Sequence, residues 1–247
     1  MNTMKKVLNI FFGMLLAALI VSCEKTTEGL SRITYFPEFT LSGSAESIVA
    51  IGSVFTDPGA IAKESGATIP VSVSVTSKIN SYNGTTVDTN TPDVYYIKYS
   101  AVNSDGFSGN VFRQVTVSNT GDFVNSIEGV YTSTCVRNGA SAAPYNDMKY
   151  ILIWKEGSDF VISDYIGGYY DIGRGYGYGY AAIGPTITIN NLATNDVTIN
   201  GNSFEVGTFG GEATIESISF NTVEKTITFS TKWDQGYTFV VTLKQQV

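Results

Sequence analysis

Alternation with a period of two runs through every patterned segment of this chain, and no amphipathic helix is visible. Val71, Val73 and Val75 alternate with Ser72, Ser74 and Thr76, as expected of a half-buried strand. Residues 94–102 are long, aromatic and β-branched. Val111, Val115 and Val117 share one parity, and Phe112, Gln114 and Thr116 share the other. Turn signals separate these runs: Asp57-Pro58-Gly59, Asn83-Gly84 and Asp105-Gly106. Short strands at this spacing imply a sandwich over residues 33–118.

After a polar stretch at 119–126, read as a linker, a second β-rich region occupies 127–247. Residues 150–154 and 160–162 read as strands across Glu156-Gly157-Ser158. Val197 to Ile199 and Phe204 to Val206 read as a hairpin, because Asn200-Gly201 suits a type I′ turn. Residues 215–220 and 226–233 are expected to pair, and Phe239, Val241 and Leu243 alternate in the last strand. The expectation is an all-β chain: an N-terminal immunoglobulin-like sandwich, then a second antiparallel β-barrel or sandwich. Trp233 shares its parity with Ile227 and Phe229 and is expected in the core. Trp154 lies on a strand with two apolar faces, so core and rim both remain open for it.

Residues 1–22 carry the pattern of an export signal, with Lys5 and Lys6 ahead of an apolar stretch from Val7 to Val21. That stretch is shorter than the roughly 20 apolar residues of a membrane span. It ends in Leu19-Ile20-Val21-Ser22-Cys23, which resembles the bacterial lipobox, with Cys23 as the lipidation site. Residues 23–32 would then tether the protein to an outer-membrane surface, and the lipid would be its only membrane contact. Processing removes two lysines and no acids, taking the formal charge from −7 to −9. Such a balance argues against nucleic acid. With Cys23 acylated, Cys135 has no disulfide partner and is expected as a buried strand residue.

The segment from Ser47 to Ala60, together with Tyr96-Ile-Lys-Tyr99 and Arg113-Gln-Val-Thr-Val117, resembles a bacterial surface immunoglobulin-like domain first named from a pesticidal crystal protein. That resemblance implies a Greek-key sandwich acting as a spacer. Only its middle, residues 80–93, is longer and richer in Thr and Asn. Glu128-Gly-Val-Tyr131 and the run from Gly167 to Tyr180 resemble the C-terminal domain that accompanies it in Bacteroidota lipoproteins. Those resemble accessory members of glycan-uptake loci, which implies a polysaccharide ligand and an outer-membrane receptor complex as partners; a structural or protein-interaction (adhesin-like) surface role and an apolar-ligand carrier are the alternatives.

The chain has no histidine, which excludes His-dependent triads and His metal sites. No phosphate-binding loop is present, so no cofactor is expected. Asp164, Asp171, Glu205, Glu212 and Glu216 show no spacing that singles out a catalytic pair, and no enzyme is expected. Asp57, Asp88, Asp93 and Asp105 read as turn acids rather than metal ligands.

The most unusual segment holds Tyr165, Tyr169, Tyr170, Tyr176, Tyr178 and Tyr180 interleaved with glycine. If the chain is extended there, Tyr176, Tyr178 and Tyr180 project from one face. Such a row suits the C–H face of a pyranose. The competing reading is that the rings cover a sheet or plug a barrel end. Tyr169, Tyr170, Tyr176, Tyr178, Tyr180 and Trp154 are the candidate ligand-binding residues.

Overall fold

A computed structural model describes residues 33–201 and 203–246. The signal segment, Cys23 and the tether lie outside the described residues.

The first domain contains β1 (Glu38–Leu41), β2 (Glu46–Val49), β3 (Ala60–Glu64), β4 (Ala67–Ile69), β5 (Ser72–Ser77), β6 (Asn83–Gly84), β7 (Asp93–Val102) and β8 (Ser108–Val117). One sheet has the order β1-β3-β4 and the other β2-β8-β7-β5-β6. β2 runs parallel to β8, and the other pairs are antiparallel. This is the expected sandwich. Inward residues of β5, β7 and β8 (Val75, Tyr95, Ile97, Tyr99, Val115 and Val117) meet Phe39, Leu41 and Phe55 in its core. Only Val75 of the β5 alternation is fully covered, and Val73 stays 38% exposed. Asn83-Gly84 is not a turn: both residues pair with β5.

One charge enters this core. Arg113 shares the parity of Val111 and Val115, and it is 1% exposed. Its Nε lies 3.2 Å from an Asp57 carboxylate oxygen and donates to the Tyr99 hydroxyl at 3.1 Å. Nη2 donates to the carbonyls of Ser42 (2.6 Å) and Gly59 (3.2 Å), and Nη1 to that of Ser44. Asp57 also accepts from the Gly59 N–H at 3.1 Å. Gly59 adopts φ +80°, the conformation a type II turn needs after proline. The turn and the buried guanidinium therefore hold each other.

Residues 119–126 are folded rather than a free linker. Asp122 accepts from the N–H groups of Val124, Asn125 and Ser126. Phe123 is fully buried in the second domain's core.

The second domain contains β9 (Gly129–Arg137), β10 (Met148–Glu156), β11 (Asp159–Ile162), β12 (Ile187–Asn191), β13 (Asp196–Ile199), β14 (Phe204–Val206), β15 (Gly210–Asn221), β16 (Thr226–Trp233) and β17 (Tyr237–Gln245). They form one antiparallel sheet in the order β13-β12-β11-β10-β9-β17-β16-β15-β14, which curls around its own core. The last strand pairs with the first, so β9 and β17 form its centre. The expected pairings of β10 with β11 and of β15 with β16 are present. The hairpin expected at Asn200-Gly201 is not: β13 pairs with β12 and β14 with β15, at opposite edges of the sheet. The turn chemistry that decides this sits elsewhere. Asn191 caps a short turn, and Asn195 in the left-handed conformation (φ 55°) returns the chain to β12.

Phe239, Val241 and Leu243 face the core, as do Trp233 and Cys135. Burial raises the Cys135 thiol well above its ordinary range. Lys78 of the first domain reaches the second, its Nζ 2.6 Å from Asp171 Oδ2. The Lys78 loop is itself held by buried Asp93, which accepts from the N–H groups of Lys78, Ile79 and Asn80.

Candidate functional site

The segment between β11 and β12 builds the site. Its first half threads into the curl. Asp164 is fully buried and accepts from the N–H groups of Ile166 (2.8 Å), Gly168 (3.0 Å) and Ala182 (3.1 Å). It thereby ties the start of the segment to its end. Tyr165 fills the interior, its ring 5.3 Å from Phe204 and 5.7 Å from Phe229. Its hydroxyl donates to the Pro185 carbonyl at 2.7 Å. Thr231 and Ser133 on the sheet donate to the carbonyls of Tyr165 and Gly167.

Burial pushes the Asp164 carboxyl from its ordinary 3.8 up to about 7; the Asp171 charge acts in the same direction, and the backbone donors oppose it. The folded protein then holds a proton that the unfolded chain has released. Stability from this group is complete below about pH 4 and is lost as pH rises through about 7. Urea unfolding is expected to show a falling midpoint between about pH 4 and about pH 7, and Asp164→Asn to flatten that slope. An unchanged slope in the variant would remove Asp164 as its source.

The second half emerges as a π-helical turn, Tyr169–Gly173, and a 3-10 turn, Tyr178–Tyr180. The chain is therefore not extended, and Tyr176, Tyr178 and Tyr180 do not form a strand-like row. Isolated π turns occur often at functional sites. Tyr169 and Tyr170 are buried. Burial raises the Tyr170 hydroxyl, and the Arg137 guanidinium beside it opposes that shift. Tyr178 is half-buried, its hydroxyl 3.3 Å from the Ser163 carbonyl. It lines a groove of about 340 Å³ with Ala181, Ile183, Glu205 and Gly207. Tyr176 is 51% exposed, and Tyr180 is half-buried. Trp154 lies apart on β10, half-buried, its Nε1 donating to Glu156 at 3.1 Å. It lines a separate groove with Ile51, Asn80 and Pro92 of the first domain.

A continuous ring network joins these tyrosines to residues far away in sequence. Tyr145 stacks on Tyr169 at 4.1 Å, and Tyr169 meets Tyr170 at 5.0 Å and Phe239 at 5.4 Å. Phe209 lies 4.8 Å from Tyr170 and 4.9 Å from Tyr180. Tyr176 lies 5.3 Å from Tyr180, and Trp233 lies 5.7 Å from Tyr237. The inner rings (Tyr169, Tyr170, Trp233 and Phe239) are core. The outer ones (Tyr145, Tyr176, Tyr180, Phe209 and Tyr237) reach solvent, with Phe209 46% exposed. Gly207, at φ +44°, allows the approach: a Cβ there would lie 2.5 Å from the Gly179 carbonyl oxygen. Tyr145, Phe209 and Tyr237 escape a sequence reading because three separate elements bring them in.

Of the candidate acids, Asp164 is buried among backbone N–H donors. Asp171 is bound to Lys78, and Glu205, Glu212 and Glu216 are exposed. Among the described residues no three His, Cys, Asp or Glu side chains come close enough to hold a metal ion.

Comparison with known proteins decides the lineage. A model for a bacterial surface protein, Ig-like domain, matches residues 39–117. A second model, for a C-terminal domain, matches residues 120–245, just over half of the chain. The chain belongs to that C-terminal-domain family. Neither the family nor the Ig-like one is an enzyme family. The crystal structure of the lipoprotein BT2262 from Bacteroides thetaiotaomicron is similar, at 26% identity and a TM-score of 0.61, covering 85% of this chain and 100% of that one. No curated protein matches the sequence. The family's domain here is thus a curled sheet whose β11–β12 segment is core at its base and aromatic at its rim.

Proposed function

We propose that this is a lipid-anchored cell-surface accessory protein that binds an extracellular glycan beside an outer-membrane uptake system. The immunoglobulin-like domain acts as the spacer. The observation that carries the reading is a rim of exposed Tyr176 and Phe209 with half-buried Tyr180 and Tyr237, set on a buried aromatic base. Rings fixed by packing offer flat apolar faces to pyranose C–H groups at little entropic cost, and phenol hydroxyls offer hydrogen bonds. Likeness to a Bacteroides lipoprotein along most of the chain supports the anchoring through Cys23. An apolar-ligand carrier is disfavoured, because Tyr165, Phe204 and Phe229 occupy the interior where its ligand would sit.

A polysaccharide array tests the reading. The wild-type protein is expected to bind at least one glycan. Tyr176→Ala and Phe209→Ala are expected to weaken it by about 10-fold each, as for loss of 1–2 kcal/mol of ring contact, with the melting temperature kept. Co-purification of a stable protein partner, with no glycan bound, would favour a protein-interaction role and overturn the proposal.

A further inference from the structure

Resting on the glycan reading, we propose that the sugar bound at this rim is anionic, its carboxylate or sulfate held between Arg137 and Arg174. Arg137, at the end of β9, places its guanidinium 4.9 Å from the Tyr169 ring centre and 4.8 Å from that of Tyr237. Arg174, just after the π turn, lies 5.8 Å from the same Tyr169 ring and 5.9 Å from Tyr145. Both cations therefore lie against one ring, Tyr169, inside the aromatic network. Among the described residues neither has a carboxylate within ion-pair distance. The contrast is with Arg113, which is buried and matched to Asp57.

Two neighbouring cations left without acids are unexpected in a chain of formal charge −7. Acids abound elsewhere; here the neighbouring acceptors are tyrosine hydroxyls, Tyr170 for Arg137 and Tyr169 for Arg174, which engage only part of each guanidinium's five donors and leave the rest for a ligand. A guanidinium stacked on rings is already oriented, so little freedom is lost when its planar fork meets an oxyanion. Carboxylates and sulfates accept such bonds in pairs, and charge-assisted bonds are the strong ones. The acidic remainder of the surface does not forbid this: charges beyond about 10 Å are largely screened at 0.1 M salt. Rings read the sugar face, and the two arginines read its charge.

The test compares three immobilised polymers: polygalacturonate for carboxylate, dextran sulfate for sulfate, and dextran as the neutral control. Wild-type protein is expected to bind one polyanion at least 10-fold tighter than dextran, with affinity falling as salt rises. Which polyanion binds assigns the group. Arg174→Gln, at an exposed position, is expected to lose about 10-fold, and Arg174→Lys to recover only part, since lysine keeps the charge but not the fork. Arg137→Gln, checked by circular dichroism, is expected to do the same. Binding to neutral glycans alone would overturn this inference and leave the glycan reading standing. Polyanion binding indifferent to Arg174→Gln would also overturn it. Failure to bind any polymer, here and on the polysaccharide array, would overturn both.

Discussion

Arg113→Leu is expected to cost the immunoglobulin-like domain about 3–5 kcal/mol, the usual range for removing one partner of a buried ion pair. The loss has two parts. The carboxylate of Asp57, part-buried, loses its counter-charge. The carbonyls of Ser42, Ser44 and Gly59 lose their donor in part-buried places. Leucine fills most of the volume but satisfies none of these groups. Asp57→Asn should be milder, because that side chain is 29% exposed and the amide can still accept from Gly59. Hydrogen exchange separates the domains: amides of β7 and β8 should exchange faster in the variant, and those of β16 and β17 should not. Equal protection in β7 and β8 would mean that the guanidinium is incidental to the fold.

Tyr165→Ala is expected to cost the second domain about 3–5 kcal/mol, as for deletion of a large core aromatic. The ring is fully buried between Phe204 and Phe229. It also packs on Gly184, where a Cβ would lie 2.5 Å from the ring. A cavity there removes the base on which the tyrosine-rich segment rests. Tyr165→Phe keeps the ring and loses only the bond to the Pro185 carbonyl, a cost of about 1 kcal/mol. Trp233 is buried in this domain's core, so tryptophan fluorescence during urea unfolding follows its loss. A Tyr165→Ala midpoint near wild type would show that the segment folds independently of its plug.

These two residues also mark where sequence reading succeeds and stops. Local alternation is written in each strand, so the all-β class, the buried faces of β16 and β17 and the burial of Cys135 were legible. Pairing between distant strands is not local. The Asn200-Gly201 dipeptide suits a hairpin, yet β13 and β14 end on opposite sheet edges because each has a nearer partner. Arg113 falls on the parity of Val111 and Val115, yet neither its burial nor the carbonyls that make it tolerable there are written in that pattern. In the tyrosine-rich segment the residue types pointed to a platform. Composition could not separate Tyr165, Tyr169 and Tyr170, which are core, from Tyr176 at the rim. Nor could it supply Phe209, Tyr237 and Arg137, which arrive from other elements, or set Arg174, within the segment, beside them.

The central claim is that a glycan sits on the aromatic rim of the C-terminal domain. Backbone amide chemical shifts, recorded with and without the best glycan from the array, test it most directly. A glycan on this rim should perturb residues 174–180, 207–211 and 233–237 most, with β7 and β8 of the first domain unmoved. Perturbations centred on Trp154 and its groove, with the rim silent, would contradict it.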